Sequence, residues 1–447
     1  MSARATWLAV ALVQALAAQA PVVVAGRFFE LRCHGGGEAA AMQALAAVEP
    51  VWSEVCAFFG VPATPPPSLL TVHLYQDVRA YRSADRRLTG GRYLRNEAMS
   101  HWQTRTAHVA LQPPCSEAAL RARGLPLQTE VMLAWEAAHI ARYQLCANFE
   151  LHPGWFHDGL AGLVARRTLQ RRRPQATAQP FFTQRWLRAQ RLARAGRLPR
   201  ARQLLADETQ DLSMRDRYAA RVSFFEFVAE RAPERLRRVA DVVRQTGVGS
   251  SYGAKVLEAA TASLEPLDAA FRSAVEAASP AWEEEVRSLW CAGDEWLQRA
   301  FPQADAVALR CEPVRGSRFR ASAEVASLDG ALGRARFLFG LEGRRGFALA
   351  LGPSDRFELL QLGPEGDTAA VLARGVAPEL GSGAPCPIEV SVDGRALQLR
   401  VGARSRRLAL PRPLPTEVRW GISAGGAGAE RDYGSAVVWR RLWVGGA

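Results

Sequence analysis

The chain has 447 residues, of which 48% are hydrophobic and 23% charged, a balance that excludes a disordered or collagen-like polypeptide. That length suffices for two or three domains with more than one substantial core. The formal charge of +13 comes almost wholly from Arg, with Lys255 the single lysine, and the densest run, Arg171-Arg172-Arg173, lacks interleaved aromatics, so nucleic acid is not an expected partner.

The first residues have the layout of a secretory leader. Arg4 supplies the positive start, Trp7 to Leu16 the apolar stretch, and Ala18-Gln19-Ala20 a small-x-small cleavage site. An uncleaved anchor is the alternative, since apolar residues run on through Val22, Val23 and Val24; Pro21, Gln14 and Gln19 count against it. A secreted or periplasmic protein with no stable membrane span after cleavage is expected. Seven cysteines are present (Cys33, Cys56, Cys115, Cys146, Cys291, Cys311 and Cys386), none in a C-x-x-C pair, so neither a redox motif nor a thiolate zinc site is indicated. An odd number leaves at least one thiol without a partner in the chain.

After the leader, Arg27 to Cys33 reads as a short strand and Glu38 to Phe59 as a helix, with apolar positions at Met42, Leu45, Val48, Val51 and Val55. Leu69 to Tyr75 and Thr106 to Gln112 alternate as strands do. Helices are expected from Leu127 to Cys146 and from Pro153-Gly154 to Leu169. Residues 171–300 read as helical throughout, ending in a helix that opens at Pro280-Ala281-Trp282 and runs to about Phe301. Beyond Ala304 the period changes to two. Eight short strands are expected between Phe319 and Val444, and Asp393-Gly394 between two of them is a strong hairpin signal. Many strands at short spacing mean a β-sandwich.

The motif that carries chemistry is Trp135-Glu136-Ala137-Ala138-His139, followed by Gly154-Trp155-Phe156-His157-Asp158-Gly159-Leu160-Ala161. In the intact form of such a pattern, H-E-x-x-H, two His one turn apart grip zinc, the Glu between them activates the metal-bound water, and a carboxylate on the next helix is the third ligand. Trp135 here stands where the first ligand would be and has no lone pair to offer. All seven His lie at or before position 157; the best replacement is His157, and His152 in the loop between the helices could also swing in. His157 precedes Asp158 directly, and neighbouring helical side chains diverge by about 100°. If the helix begins only at Asp158, that limit is lifted.

Residues 27–300 resemble the gluzincin metallopeptidases, the thermolysin-like, peptidase-MA-like group. The segments that carry the likeness are the opening strand and long helix ending Phe58-Phe59-Gly60, the strand Thr71 to Tyr75, the WEAAH and GWFHDGLAGLVA pair, and the tail from Leu267 to Trp282. The resemblance implies Glu136 as the water-activating base, His139 and Asp158 as metal ligands, and Tyr218 as a group that could steady an oxyanion. It implies zinc as the metal, but two donors hold zinc far more weakly than three, and Glu136 without a polarised water is a poor base at neutral pH. The expected protein is therefore an inactive peptidase-like binder of a polypeptide or cell-surface ligand. A rebuilt site of His139, Asp158 and His157 or His152 in an active metal-dependent hydrolase is the enzymatic alternative.

Residues 305–445 resemble, in architecture alone, the concanavalin-like jelly rolls. The cues are Phe337 to Gly340, Val392-Asp393-Gly394, Trp420-Gly421-Ile422 and Arg441 to Val444. Glycan binding through this part is the third reading, although Trp420, Trp439 and Trp443 all fall in strand patterns that point them to the core. The expected fold class is α+β: a leader over 1–20, a mostly helical gluzincin-like domain over 21–300 and an all-β sandwich over 305–447.

Overall fold

The computed structural model describes residues 20–94, 96–112, 116–146, 149, 152–172, 183–245, 252–277, 282–284, 289–292, 295–299, 306–310, 312–316, 318–327, 334–352, 355–382, 384–425 and 436–446; the expected leader over 1–19 lies outside them. By compactness the chain forms two units, one ending at Glu150 and the other beginning at Leu151. The fold is α+β.

The first unit is built on a five-stranded sheet of β1 (Val22–Ala25), β2 (Phe29–His34), β3 (Leu70–Tyr75), β4 (Ala98–His101) and β5 (Thr106–Ala110), in the order β1-β2-β3-β5-β4. The inner neighbours β2, β3 and β5 are parallel and the two outer strands antiparallel. α1 (Glu38–Phe58) makes the crossover from β2 to β3, and α2 (Val78–Thr89) follows β3. Asp77 starts α2 by accepting a hydrogen bond from the Arg79 amide at 2.8 Å, and Gly90, at a φ of 73°, ends it in the left-handed conformation. α3 (Glu117–Arg123) and α4 (Leu127–Leu145) complete the unit. Helices α1 and α4 pack on the sheet and on each other. The alternate positions Leu31, Val72, Leu74 and Val109 are sealed completely, as the period of two requires of a half-buried sheet. The intervening positions Arg32, His73 and His108 stand in register across three strands.

Among the described residues the second unit opens with seven helices: α5 (Gly154–Arg172), α6 (Thr183–Arg194), α7 (Ala201–Leu205), α8 (Met214–Arg231), α9 (Pro233–Gln245), α10 (Tyr252–Leu264) and α11 (Asp268–Ala277). Ser213 caps α8 by accepting from the Asp216 amide. α8 packs against both α5 and α6, its Phe225 lying where α5 presents Gly159; a Cβ at Gly159 would overlap the Phe225 ring. Gly159 thus lets the two helices approach closely.

A sandwich follows, with strands β6 (Trp282–Glu284), β7 (Leu289–Ala292), β8 (Glu295–Arg299), β9 (Ala306–Arg310), β10 (Val314–Arg315), β11 (Arg318–Ser327), β12 (Ala335–Glu342), β13 (Arg345–Leu351), β14 (Arg356–Leu362) and β15 (Thr368–Val376). The last five are β16 (Cys386–Asp393), β17 (Ala396–Val401), β18 (Arg404–Ala409), β19 (Glu417–Ala424) and β20 (Ala436–Gly446). One sheet has the order β15-β14-β13-β12-β19-β9-β6, with β10 beside β19; the other runs β18-β17-β16-β11-β20-β8-β7. Both are antiparallel throughout, the pattern of a jelly-roll sandwich. Their inner faces share one core, where the Phe319 ring of one sheet stacks on Phe339 of the other at 5.8 Å.

One expected element is overturned. The helix read from Pro280 to about Phe301 is three strands within the residues described there, and they pair with the sandwich: β6 with β9, β8 with β20. Trp296 stands opposite Trp439 and packs on the sandwich core, while the Gln298 side chain donates to the Ile422 carbonyl at 3.1 Å. The partners of β8 lie over a hundred residues along the chain, and cross-strand pairing with them outweighs the local helical period.

Candidate functional site

The WEAAH segment lies in the middle of α4, a helix buried almost all round. Trp135 and His139, one turn apart, are 3% and 4% exposed, and the two rings meet edge to face at 6.2 Å. Tyr143, the next turn on, stacks on the other side of His139 at 6.4 Å. The imidazole is thus clasped along the helix between an indole and a phenol. Burial and the nearby Arg142 guanidinium hold it neutral, with its pKa well below the usual value for histidine. Glu136, 8% exposed, shares the same turn.

The other residues of the pattern lie in the second unit. α5 begins at Gly154, so His157 and Asp158 are both helical and point about 100° apart; the condition that would have let them share an ion is not met. Asp158 faces Arg221 of α8 at 3.6 Å, and Arg221 in turn binds Asp207, whose other oxygen accepts the Gly154 amide at 3.1 Å. This carboxylate–guanidinium–carboxylate bridge ties the start of α5 to α8. His152, 8% exposed, packs edge-on against Phe156. Tyr218 lies on α8 beneath the Arg185 guanidinium, 4.7 Å from its ring centre. Among the described residues no three His, Cys, Asp or Glu side chains are placed to hold one metal ion.

A cluster that sequence reasoning passed over lies on the sheet of the first unit. His34, His73 and His108 come from β2, β3 and β5; His34 Nε2 and His73 Nδ1 are 2.9 Å apart, and the His73 and His108 rings stack at 4.5 Å. Tyr75 stacks on His34 at 4.5 Å and its hydroxyl hydrogen-bonds His108 Nδ1 at 2.9 Å. Burial and the mutual repulsion of the would-be imidazolium charges push His73 down to about 4 and His108 to about 3, with Arg87 adding to both. The parallel register carried the signal: residues 73 and 108 are directly opposed only because β3 and β5 pair without offset.

Among the described residues Cys33, Cys56 and Cys386 are free and buried, and Cys146 is buried as well. Burial raises Cys33, Cys56 and Cys386 to about 11, so these thiols are inert nucleophiles.

The outer face of the seven-stranded sheet carries the feature that most departs from expectation. Trp439 is fully buried and Trp420 is 6% exposed, as their strand patterns imply, but Trp443 is 55% exposed. A simple period of two would put Trp439 and Trp443 on the same side. A bulge in β20 prevents it: Trp443 pairs with Ser322 and Arg440 with Glu324, so Arg441 and Leu442 together oppose Ala323. The extra residue exchanges the two faces beyond it. Arg441 takes a φ of 48°, a left-handed conformation costly for a side chain with a Cβ. The consecutive arginines Arg440-Arg441, which interrupt the alternation, were the trace of it in the sequence. The indole lies over Gly445, where a Cβ would come within 2.7 Å of Trp443 Cζ2. Across the strands beside it run Ser322, Glu389, Arg400 and Ser405, and in the next row Arg320, Ser391, Gln398 and Arg407. An exposed flat ring beside a sheet of hydrogen-bonding side chains can stack on an apolar ring face while pairing with its polar rim.

No family model matches the chain, and no curated protein does. Solved structures similar to part of it include the carbohydrate-binding module CBM66 from Bacillus subtilis, 13% identical over 37% of this chain and 95% of that one, with a TM-score of 0.30. The exoplasmic/lumenal domain of VIP36, bound to Ca2+ and Man3GlcNAc, is 13% identical over 37% of this chain and 84% of its own, at a TM-score of 0.28. The carbohydrate recognition domain of Emp47p is 12% identical over 38% of this chain and 90% of its own, also at 0.28. Likeness at this level says nothing about what this chain binds. No helix among the described residues is long and apolar enough to cross a membrane.

Proposed function

We propose that this protein binds glycans through the outer face of the seven-stranded sheet, with Trp443 as the stacking platform. The observation that carries the reading is the bulge at Arg441, a strained backbone position whose effect is to bring a large indole out of the core and set it against Gly445. Strained backbone and re-aimed side chains of this kind cluster at functional sites. The ladder from Ser322 to Ser405 supplies donors and acceptors for sugar hydroxyls. The test is affinity gel electrophoresis of the full chain against a panel of neutral and acidic polysaccharides. Retardation by at least one polymer, lost in Trp443→Ala while the melting temperature stays put, is the expected result. Retardation that survives the substitution unchanged, or none on any polymer, sinks the reading.

A second reading concerns α4. We infer that it is a metal-free remnant of a peptidase site and that the first unit, if it has a ligand, binds rather than cuts it. Trp135 pressed against a sealed His139 supports this, as does the engagement of Asp158 by Arg221. His139 remains a chemically competent single donor, yet one donor in a dry, closed turn makes a poor zinc site. Metal analysis of the purified protein decides it: about one zinc per chain, lost together with hydrolytic activity in Glu136→Gln, would restore the enzyme. Export to the cell exterior stays part of the proposal, resting on the leader over residues 1–20.

A further inference from the structure

We infer that the glycan taken by this face is acidic, carrying a carboxylate or sulfate group beside the ring that stacks on Trp443; this rests on the glycan-binding reading above. The charges of the sheet face divide unevenly. Glu389 pairs with Arg400 at 3.3 Å, Asp393 with Arg318 at 3.0 Å and Glu324 with Arg441 at 2.7 Å, so these carboxylates of β11 and β16 are all engaged. Two guanidinium groups are left over. Arg320 and Arg407 are exposed and have no carboxylate partner among the described residues.

Their positions decide what the charge can serve. Arg320 is the cross-strand neighbour of Gly445, the residue over which the indole lies, so its guanidinium is rooted one strand from the platform, about 5 Å away. Arg407 lies three strands further along the same row, past Ser391 and Gln398, or about 14 Å from Arg320. A flat ring, an adjacent cation, two neutral hydrogen-bonding side chains and a second cation thus follow one another in a straight row across the sheet. A chain of sugars lying across the strands would meet them in that order, with acidic groups at its two ends of contact. Arg presents a planar fork that matches the two oxygens of a carboxylate or sulfate, and among the described residues neither Arg320 nor Arg407 stacks on the indole or pairs with an acid.

The experiment uses the full chain at about 150 mM salt, where long-range attraction to the chain's net charge is screened. The probes are polygalacturonate, its carboxyl-reduced galactan, and a sulfated galactan, read as dissociation constants from affinity electrophoresis. Wild-type protein should bind one or both acidic polymers at least tenfold more tightly than the neutral one; which of the two it prefers identifies the acid. Arg320→Gln should weaken acidic-polymer binding roughly ten- to hundredfold and leave binding to the neutral galactan within about twofold. Trp443→Ala should abolish both, which non-specific attraction between the net charge and a polyanion would not. Equal affinity for neutral and acidic polymers, still dependent on Trp443, overturns the acidic inference and spares the glycan reading. Acidic binding indifferent to Trp443 overturns both.

Discussion

Lowering the pH should unfold the first unit from within, through the histidines stacked on its sheet. His73 and His108 have folded-state pKa values near about 4 and about 3, against about 6.5 for a solvated imidazole. A base depressed on folding binds its proton more readily in the unfolded chain. Its neutral form costs nothing above about pH 6.5, and stability falls as the pH drops below that towards the folded value. Between about pH 7.5 and about pH 5, each of the two sites should remove about 2 kcal/mol, or about 4 kcal/mol together, a roughly thousandfold change in the opening equilibrium. His34 and the sealed His139 shift in the same direction and add to the loss. The positive groups facing the stack, Arg32 and Arg87, act the same way; the phenol of Tyr75 stays neutral throughout the range. Hydrogen exchange corrected for its intrinsic pH dependence, read on amides of Leu70–Tyr75 and Thr106–Ala110, measures this directly. Protection should fall by about three orders of magnitude in the native protein and by roughly half as many in His108→Gln. A fall of less than tenfold in the native chain would mean that these imidazoles charge freely inside the fold, and the burial argument would be wrong.

Three further outcomes are expected. Gly159→Ala should cost about 1–3 kcal/mol in urea unfolding, because the added methyl meets the Phe225 ring across a tight helix pair; a neutral result would mean that α5 and α8 can move apart freely. Arg441→Val should lose about 1–2 kcal/mol, since a β-branched side chain is poorly tolerated at a φ of 48°, whereas Arg441→Gly should be neutral or stabilising, the exposed pair with Glu324 being worth little. Trp135→His should raise zinc affinity about tenfold or more by calorimetry, because it puts a second imidazole one turn from His139 on the same helix; unchanged affinity would show that these positions do not correspond to the ligand positions of the resembled motif.

Local pattern alone made much of this protein legible. Helix Glu38–Phe58 follows from apolar residues spaced three and four apart, and strand Ala396–Val401 from alternation, because each such element buries one face and its sequence must declare which. The departure of Trp135 from a metal-ligand type was equally plain from residue chemistry. Other elements stayed hidden. The edge strands Thr368–Val376 and Arg404–Ala409 carry mostly exposed side chains, so no buried face marks them. Only the tertiary fold could make strands of Trp282–Glu284 and Glu295–Arg299, whose partners are Ala306–Arg310 and Ala436–Gly446, or commit Asp158 to Arg221 on another helix. The same holds for the direction of Trp443. In a strand the face a side chain takes is counted from its hydrogen-bonded partner and not from its own sequence neighbours, so one unpaired residue at Arg441 suffices to turn an expected core tryptophan towards solvent.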